Sequence, residues 1–79
     1  MIDLKIVSPQ QTLAHQTVQS VTIPSVKGPF QVLPGHAPVI AALEKGAVKY
    51  IGANGEEAVE ISSGFARVEN DTVTVCVEE

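Results

Sequence analysis

Three side chains could ligate a metal or act as nucleophile and base: His15, His36 and Cys76. The two histidines stand 21 residues apart and no second cysteine or histidine completes a ligand pair at zinc spacing, so no metal site is expected. Serines are numerous, but none sits in a G-x-S-x-G elbow, and no G-x-x-x-x-G-K-[ST] run is present to cradle phosphate. Glu56 and Glu57 could supply paired carboxylates, yet they adjoin Asn54-Gly55 and read as solvated turn charges. Lys45 follows Glu44 and precedes Gly46 at a turn, where a lipoyl or biotinyl carrier domain would hold its modified lysine. The Asp-Lys-Ala or Met-Lys-Met sequence that modifying ligases read is missing there. The chain is therefore expected to be no enzyme, to need no cofactor and to take no small-molecule substrate. A carrier domain modified on Lys45 is the alternative.

The elements that would position these groups read as strands. Twelve Val, six Ile and five Thr stand against four Leu, a composition that suits a pleated surface better than a helix. Alternation of period two runs through Ile2, Leu4 and Ile6, through Val21 and Ile23, through Val59 and Ile61, and through Val73, Val75 and Val77. Pro24 is expected to stop the second run. Residues 39–43 are apolar in succession and are read as a strand buried on both faces. Asn54-Gly55 is the strongest hairpin signal, because both residues tolerate positive φ. Ser62-Ser63-Gly64 should break or bulge the chain, and Asn70-Asp71 should turn it into the last strand. Short strands with turns every 8–12 residues predict an all-β fold, a sandwich or a barrel, as one domain over residues 1–79.

With 79 residues and a net charge of −4, the chain offers only Lys5, Lys27, Lys45, Lys49 and Arg67 as cations, too scattered for a nucleic-acid surface. A lone cysteine fits a reducing, cytoplasmic setting. Met1-Ile2-Asp3-Leu4-Lys5 lacks the basic and apolar regions of a signal peptide, and no apolar run reaches the ~20 residues that span a bilayer, so direct membrane insertion is not expected.

Residues 28–38 carry three prolines and two glycines in eleven positions. Pro34 presets φ, Gly35 permits a turn, and Pro38 holds Ala37 extended, which makes a stiff loop with His36 projecting from it. Such a loop suits a fixed protein contact; a plain surface turn is the other reading of the same residues.

Leu33-Pro34-Gly35-His36-Ala37-Pro38 resembles the hallmark of the epsilon subunit of F-type ATP synthases, the delta subunit of mitochondria. Residues 4–9 resemble that family's opening strand, residues 61–65 its Ser-Gly-Gly segment and residues 70–75 its final strand. The resemblance implies a small β-sandwich of about ten short, mainly antiparallel strands, in a non-catalytic subunit of the rotating central stalk, peripheral on the cytoplasmic face of the bacterial inner membrane. It implies two partners, the gamma subunit and the c-ring. Gamma would be met by Ser8, Gly35, His36, Ala37 and Pro38, extended by Ile40 and Ala41; the c-ring would be met by the loop of Val26, Lys27, Gly28 and Pro29. Relatives often carry an acidic residue and a second glycine before the motif, where Lys27, Pro29 and Gln31 stand here, so the charge pairing toward the ring stays open. Many bacterial relatives continue into a helical hairpin. A chain that naturally ended at Glu79 would lack that hairpin's block on ATP hydrolysis and its ATP site.

Overall fold

The computed structural model describes residues 1–78; Glu79, the last residue of the expected domain, lies outside them. Eight strands follow in order: β1 (Ile2–Val7), β2 (Thr12–Ser25), β3 (Gly28–Val32), β4 (Val39–Leu43), β5 (Gly46–Gly52), β6 (Gly55–Ile61), β7 (Ser63–Glu69) and β8 (Thr72–Glu78). The expected all-β class holds, with eight strands among the described residues in place of about ten. β2 runs unbroken for 14 residues. Pro24 does not stop it. Pro24 lies opposite Pro29 of β3, so both missing N–H groups fall at one rung and the neighbouring rungs keep their donors.

The strands form one sheet in the order β1-β8-β7-β4-β2-β5-β6, with β3 on β2 and a second pairing of β1 with β2. β2 serves both halves. Its first part pairs antiparallel with β1, and its later part turns across to pair with β5 and β3. An extra residue near Gln19, where Val18 pairs Gly52 but Ser20 pairs Ile51, bends it at that crossing. The bulge also shifts the side-chain phase: Val18 points inward before it, and Val21, Ile23 and Ser25 after it. The sheet thus folds over on itself as a sandwich. All pairs are antiparallel except β1 with β8.

One core fills the interior. Ile2, Leu4 and Ile6 of β1, Val73, Val75 and Val77 of β8, and Ala66 and Val68 of β7 meet Val21 and Ile23 of β2, Val48 and Tyr50 of β5, and Ile61 of β6. These are the inward members of the period-two runs, and their burial supplies the driving force at roughly 1.5–3 kcal/mol per large side chain.

Two hairpins differ in their turns. Asn70 and Asp71 both have positive φ, 50° and 57°, between Glu69 and Thr72, the backbone of a two-residue type I′ turn. The β5–β6 hairpin turns at Ala53-Asn54, and only Gly55 carries positive φ, 93°, as in a turn closed by a glycine bulge. The expectation that Asn54 would share the positive φ is corrected: the register closes at Gly52 and Gly55, one residue earlier than an Asn-Gly turn requires. Gly64 has φ 154°, and a Cβ there would lie 2.1 Å from the carbonyl oxygen of Cys76, so the close approach of β7 to β8 depends on glycine at this point.

Candidate docking surface

Residues 33–38 join β3 to β4. The N–H of His36 donates to the carbonyl of Leu33 (3.1 Å), Pro34 occupies the second position and Gly35 the third with φ 85°. This is a type II turn, built where the proline and glycine demand it. The Gly35 N–H donates to Oδ1 of Asp71 (2.7 Å), tying the turn to the β7–β8 hairpin. The loop lies on the outside of the sandwich: Leu33, Gly35, Ala37 and Pro38 are exposed.

His36 does not project. It is half-buried, its ring 6.2 Å from that of Phe30 and tilted 33° to it. Nδ1 lies 2.7 Å from the Ala37 carbonyl, an oxygen that can only accept, so the ring binds as the tautomer protonated at Nδ1. Stacking on Phe30 and a bond to its own neighbour fold the imidazole back against the sheet and make it part of the loop's frame.

Beyond the loop, β4 is not buried on both faces as expected: it presents Ile40 and Ala42 outward and only Val39, Ala41 and Leu43 toward the core side, because a single layer packs against it. Ile40 is 73% exposed, and Phe65, directly opposite Ala42 on β7, is 52% exposed. The ladders extend this into a cross-strand row: Ala42 faces Phe65, Phe65 faces Cys76, and Cys76 faces Val7. A parallel row, Ile40, Arg67, Thr74 and Lys5, runs beside it and carries two cations. Arg67 holds Glu69 at 3.0 Å on its own strand. The outer face of β4, β7, β8 and β1 is therefore an apolar band with a charged border. At its far edge a shallow cavity of about 380 Å³ lies among Ser8, Pro9, Phe65 and Cys76.

Ser8 lies beside that cavity, with its side chain engaged locally: Oγ donates to the Gln11 carbonyl (3.2 Å) and accepts from the Gln11 N–H (3.3 Å). It is not beside the Gly35 turn. Asp3, at the other end of β1, bonds Asp71 and so marks the motif's end of the sheet. Ser8 is five residues away, roughly 16 Å along an extended strand. A partner touching both Ser8 and residues 35–38 must lie along the whole outer face.

Of the expected loop, Val26 and Lys27 form the exposed turn at the Ser8 end, while Gly28 and Pro29, also exposed, already belong to β3, paired with Ser25 and Pro24. Ser25 Oγ accepts from Lys27 N–H (3.1 Å), Val26 N–H donates to the Ala42 carbonyl (2.9 Å), and Gly28 takes φ 112°. Five-residue β3 separates it from the motif loop, so the two loops occupy opposite ends of the sandwich. A groove of about 420 Å³ between Val26, Pro29 and Phe30 on one side and Ile40 and Ala41 on the other connects the loop to the outer face. Lys45 is exposed at the bend before β5.

Among the described residues no group of three His, Cys, Asp or Glu side chains converges on a point that could hold a metal ion. His15 meets Asp3 at 3.5 Å on the surface, and Cys76 is half-buried in the outer row. Tyr50 is pushed above the ordinary tyrosine range by burial first and by the Glu57 carboxylate second. None of these assembles a nucleophile with a base. No helix long and apolar enough to cross a membrane is found among the described residues.

The sequence singles out the loop and Ile40 but not Phe65, Cys76 and Val7, which the ladders place beside them. The signal was present in β7: Ala66 and Val68 are the inward pair, which puts Phe65 outward as the one large apolar residue out of phase. The strand neighbours that make it part of a band could not be read locally.

A family model described as the β-sandwich domain of the ATP synthase delta/epsilon chain matches residues 1–79. An ATP synthase epsilon chain of Magnetococcus marinus is 42% identical over 79 residues, covering 98% of this chain and 56% of its own. One from Lawsonia intracellularis is 42% identical over 77 residues, covering 98% and 58%. The chain thus spans little more than half the length of these curated relatives. Among solved structures, a chain in the Euglena gracilis mitochondrial ATP synthase assembly of OSCP, F1 and c-ring superposes with a TM-score of 0.90 at 26% identity, over 99% of this chain and 51% of that one. A chain of the Tetrahymena thermophila mitochondrial ATP synthase central stalk and c-ring superposes at 0.81 with 14% identity, a likeness of fold alone.

Proposed function

Because the chain belongs to the ATP synthase delta/epsilon β-sandwich family, we propose that it is a non-catalytic domain of the rotor stalk that docks on the gamma subunit and on the c-ring. The observation that carries this reading is the exposed apolar band of Ile40, Ala42 and Phe65, continuous with the turn at residues 33–38. A band of that kind on so small a domain marks a protein contact, since its side chains contribute nothing to the domain's own core. Gamma takes this face, touching Gly35, His36, Ala37 and Pro38 at one end and Ser8 at the other, with Ile40 between and Ala41 lining the adjoining groove. The c-ring takes the loop of Val26, Lys27, Gly28 and Pro29. The domain sits peripherally, on the cytoplasmic face of a bacterial inner membrane, and needs no cofactor.

The mechanism is mechanical. A close-packed β-sandwich deforms little, so a displacement imposed at one end is delivered at the other. Two modest contacts hold the domain in the rotor because engagement of one raises the effective concentration at the second. Rotation of the ring thus reaches the stalk, while the chemistry of ATP stays with other subunits. The carrier alternative on Lys45 has no observation in its favour, and an intact mass without a lipoyl or biotinyl adduct excludes it.

The direct test is binding to purified gamma and to a c-ring preparation. A chain that folds but captures no gamma ends this reading. Within it, His36→Asp should weaken gamma binding about tenfold, the scale of an ordinary interface residue, while the fold is retained. Unchanged affinity would place His36 outside the contact.

A further inference from the structure

We propose that Asp71, a residue outside the docking face, is the positioning residue that holds the turn at residues 33–38 in its docking conformation; the inference rests on the reading that this turn meets gamma. The loop has few means of holding itself. Pro34 and Pro38 have no N–H to give, and the His36 N–H is spent inside the turn on Leu33. Among the described residues, the hydrogen bond from the Gly35 N–H to Asp71 Oδ1, 2.7 Å across 36 residues of sequence, is the one that ties the turn to another element. A carboxylate acceptor makes it the stronger, charge-assisted kind.

Asp71 is itself fixed from two sides. Its carbonyl accepts the Asp3 N–H at 2.9 Å, which anchors it to the start of β1. Its backbone is held at φ 57° by the type I′ turn, beside Asn70 at φ 50°. Most side chains resist that conformation, while Asp and Asn tolerate it. The residue type therefore answers two demands at once: a left-handed backbone and an acceptor reaching the Gly35 amide. Gly35 is glycine for conformation and not for space, since a Cβ there would meet nothing within 4 Å.

The two demands separate by substitution. Asp71→Gly satisfies the backbone better than the wild type and removes the acceptor. Asp71→Asn keeps both. NMR-detected amide exchange at Gly35, thermal unfolding, and affinity for the gamma subunit are read for all three forms of the chain. In Asp71→Gly the Gly35 amide should exchange faster and gamma binding should weaken, each by about tenfold or more, the scale of one lost hydrogen bond to a charged group, with Tm little changed because the easier backbone offsets the lost bond. Asp71→Asn, with a neutral acceptor, should recover both readouts to a level between Asp71→Gly and wild type. A purely structural role would move Tm and not the Gly35 amide alone. Unchanged Gly35 exchange in Asp71→Gly overturns the inference, and so does accelerated exchange with undiminished gamma affinity. Failure of the wild-type chain to bind gamma would instead remove the docking reading, and Gly35 exchange would still judge the Asp71 contact.

Discussion

The inner and outer faces of the layer formed by β4, β7, β8 and β1 share one backbone and one set of ladders, yet obey different rules. Inward, Leu4, Ala66, Val68, Val73 and Val75 are almost wholly removed from water and touch the opposite half of the sandwich. Outward, Ile40 and Phe65 keep most of their surface in solvent, and their neighbours Cys76 and Val7 are only half-covered. An inward residue is constrained by packing density, so its identity answers to the fold. An outward apolar residue is free of that constraint, and a contiguous band of them is what a partner surface can cover. In a strand these two roles alternate residue by residue, which is how a chain of 79 residues can carry both a core and the contact surface proposed for it.

That contrast can be broken most sharply at Gly64, where the two strands of the layer approach too closely for any side chain. Gly64→Ala should cost about 3 kcal/mol or more, since the new Cβ meets the Cys76 carbonyl and φ is unfavourable as well. Urea unfolding measures it, and a cost under 1 kcal/mol would mean that β7 and β8 can separate without penalty. The outward side should behave oppositely. Ile40→Thr with Phe65→Thr, both good strand formers, should leave stability within about 0.5 kcal/mol while lowering gamma affinity by about 2 kcal/mol, as loss of an interface centre does. Equal losses in both assays would erase the distinction between the faces.

A smaller, pH-dependent effect sharpens the inward rule in the other half of the sandwich. Burial and Glu57 raise the Tyr50 hydroxyl above its ordinary value, so the folded state favours the neutral phenol. The unfolded chain ionises first. Stability from this source is therefore complete below about pH 10 and is lost as the pH rises through the folded value. Unfolding free energies measured from neutral pH upward should show this alkaline decline, and Tyr50→Phe should flatten it. A decline unchanged in the variant would assign it to another group.

Pro34 and Gly35 show what local sequence can dictate. Each restricts or frees its own φ, so the type II turn was legible without any knowledge of the fold. The period-two valines of β8 and the isoleucines of β1 likewise announced strands and their inward sides, and residues 62–64 announced a break. Where a preference was weaker than its surroundings, local reading failed. Pro24 sits within β2 because Pro29 happens to face it, and Asn54 keeps ordinary φ because the register of β5 with β6 closes at Gly52 and Gly55. His36 folds onto Phe30 because that ring is there to receive it.

By itself, then, the sequence determined the all-β class, the inward sides of the alternating strands β1 and β8 and the stiff turn at residues 33–38, because these follow from torsional and burial preferences that act within a few residues; the uninterrupted apolar run of β4 hid its exposed side. Only the tertiary structure decided that β1 runs parallel to β8, that Ser8 stands at the opposite end of the sheet from Gly35, that Val7, Cys76, Phe65 and Ala42 line up in one row, and that Asp71 reaches the turn. Those are pairings between residues tens of positions apart, fixed by the register of the whole sheet as it closes around a single core. No local preference encodes a register, so no local reading could supply them.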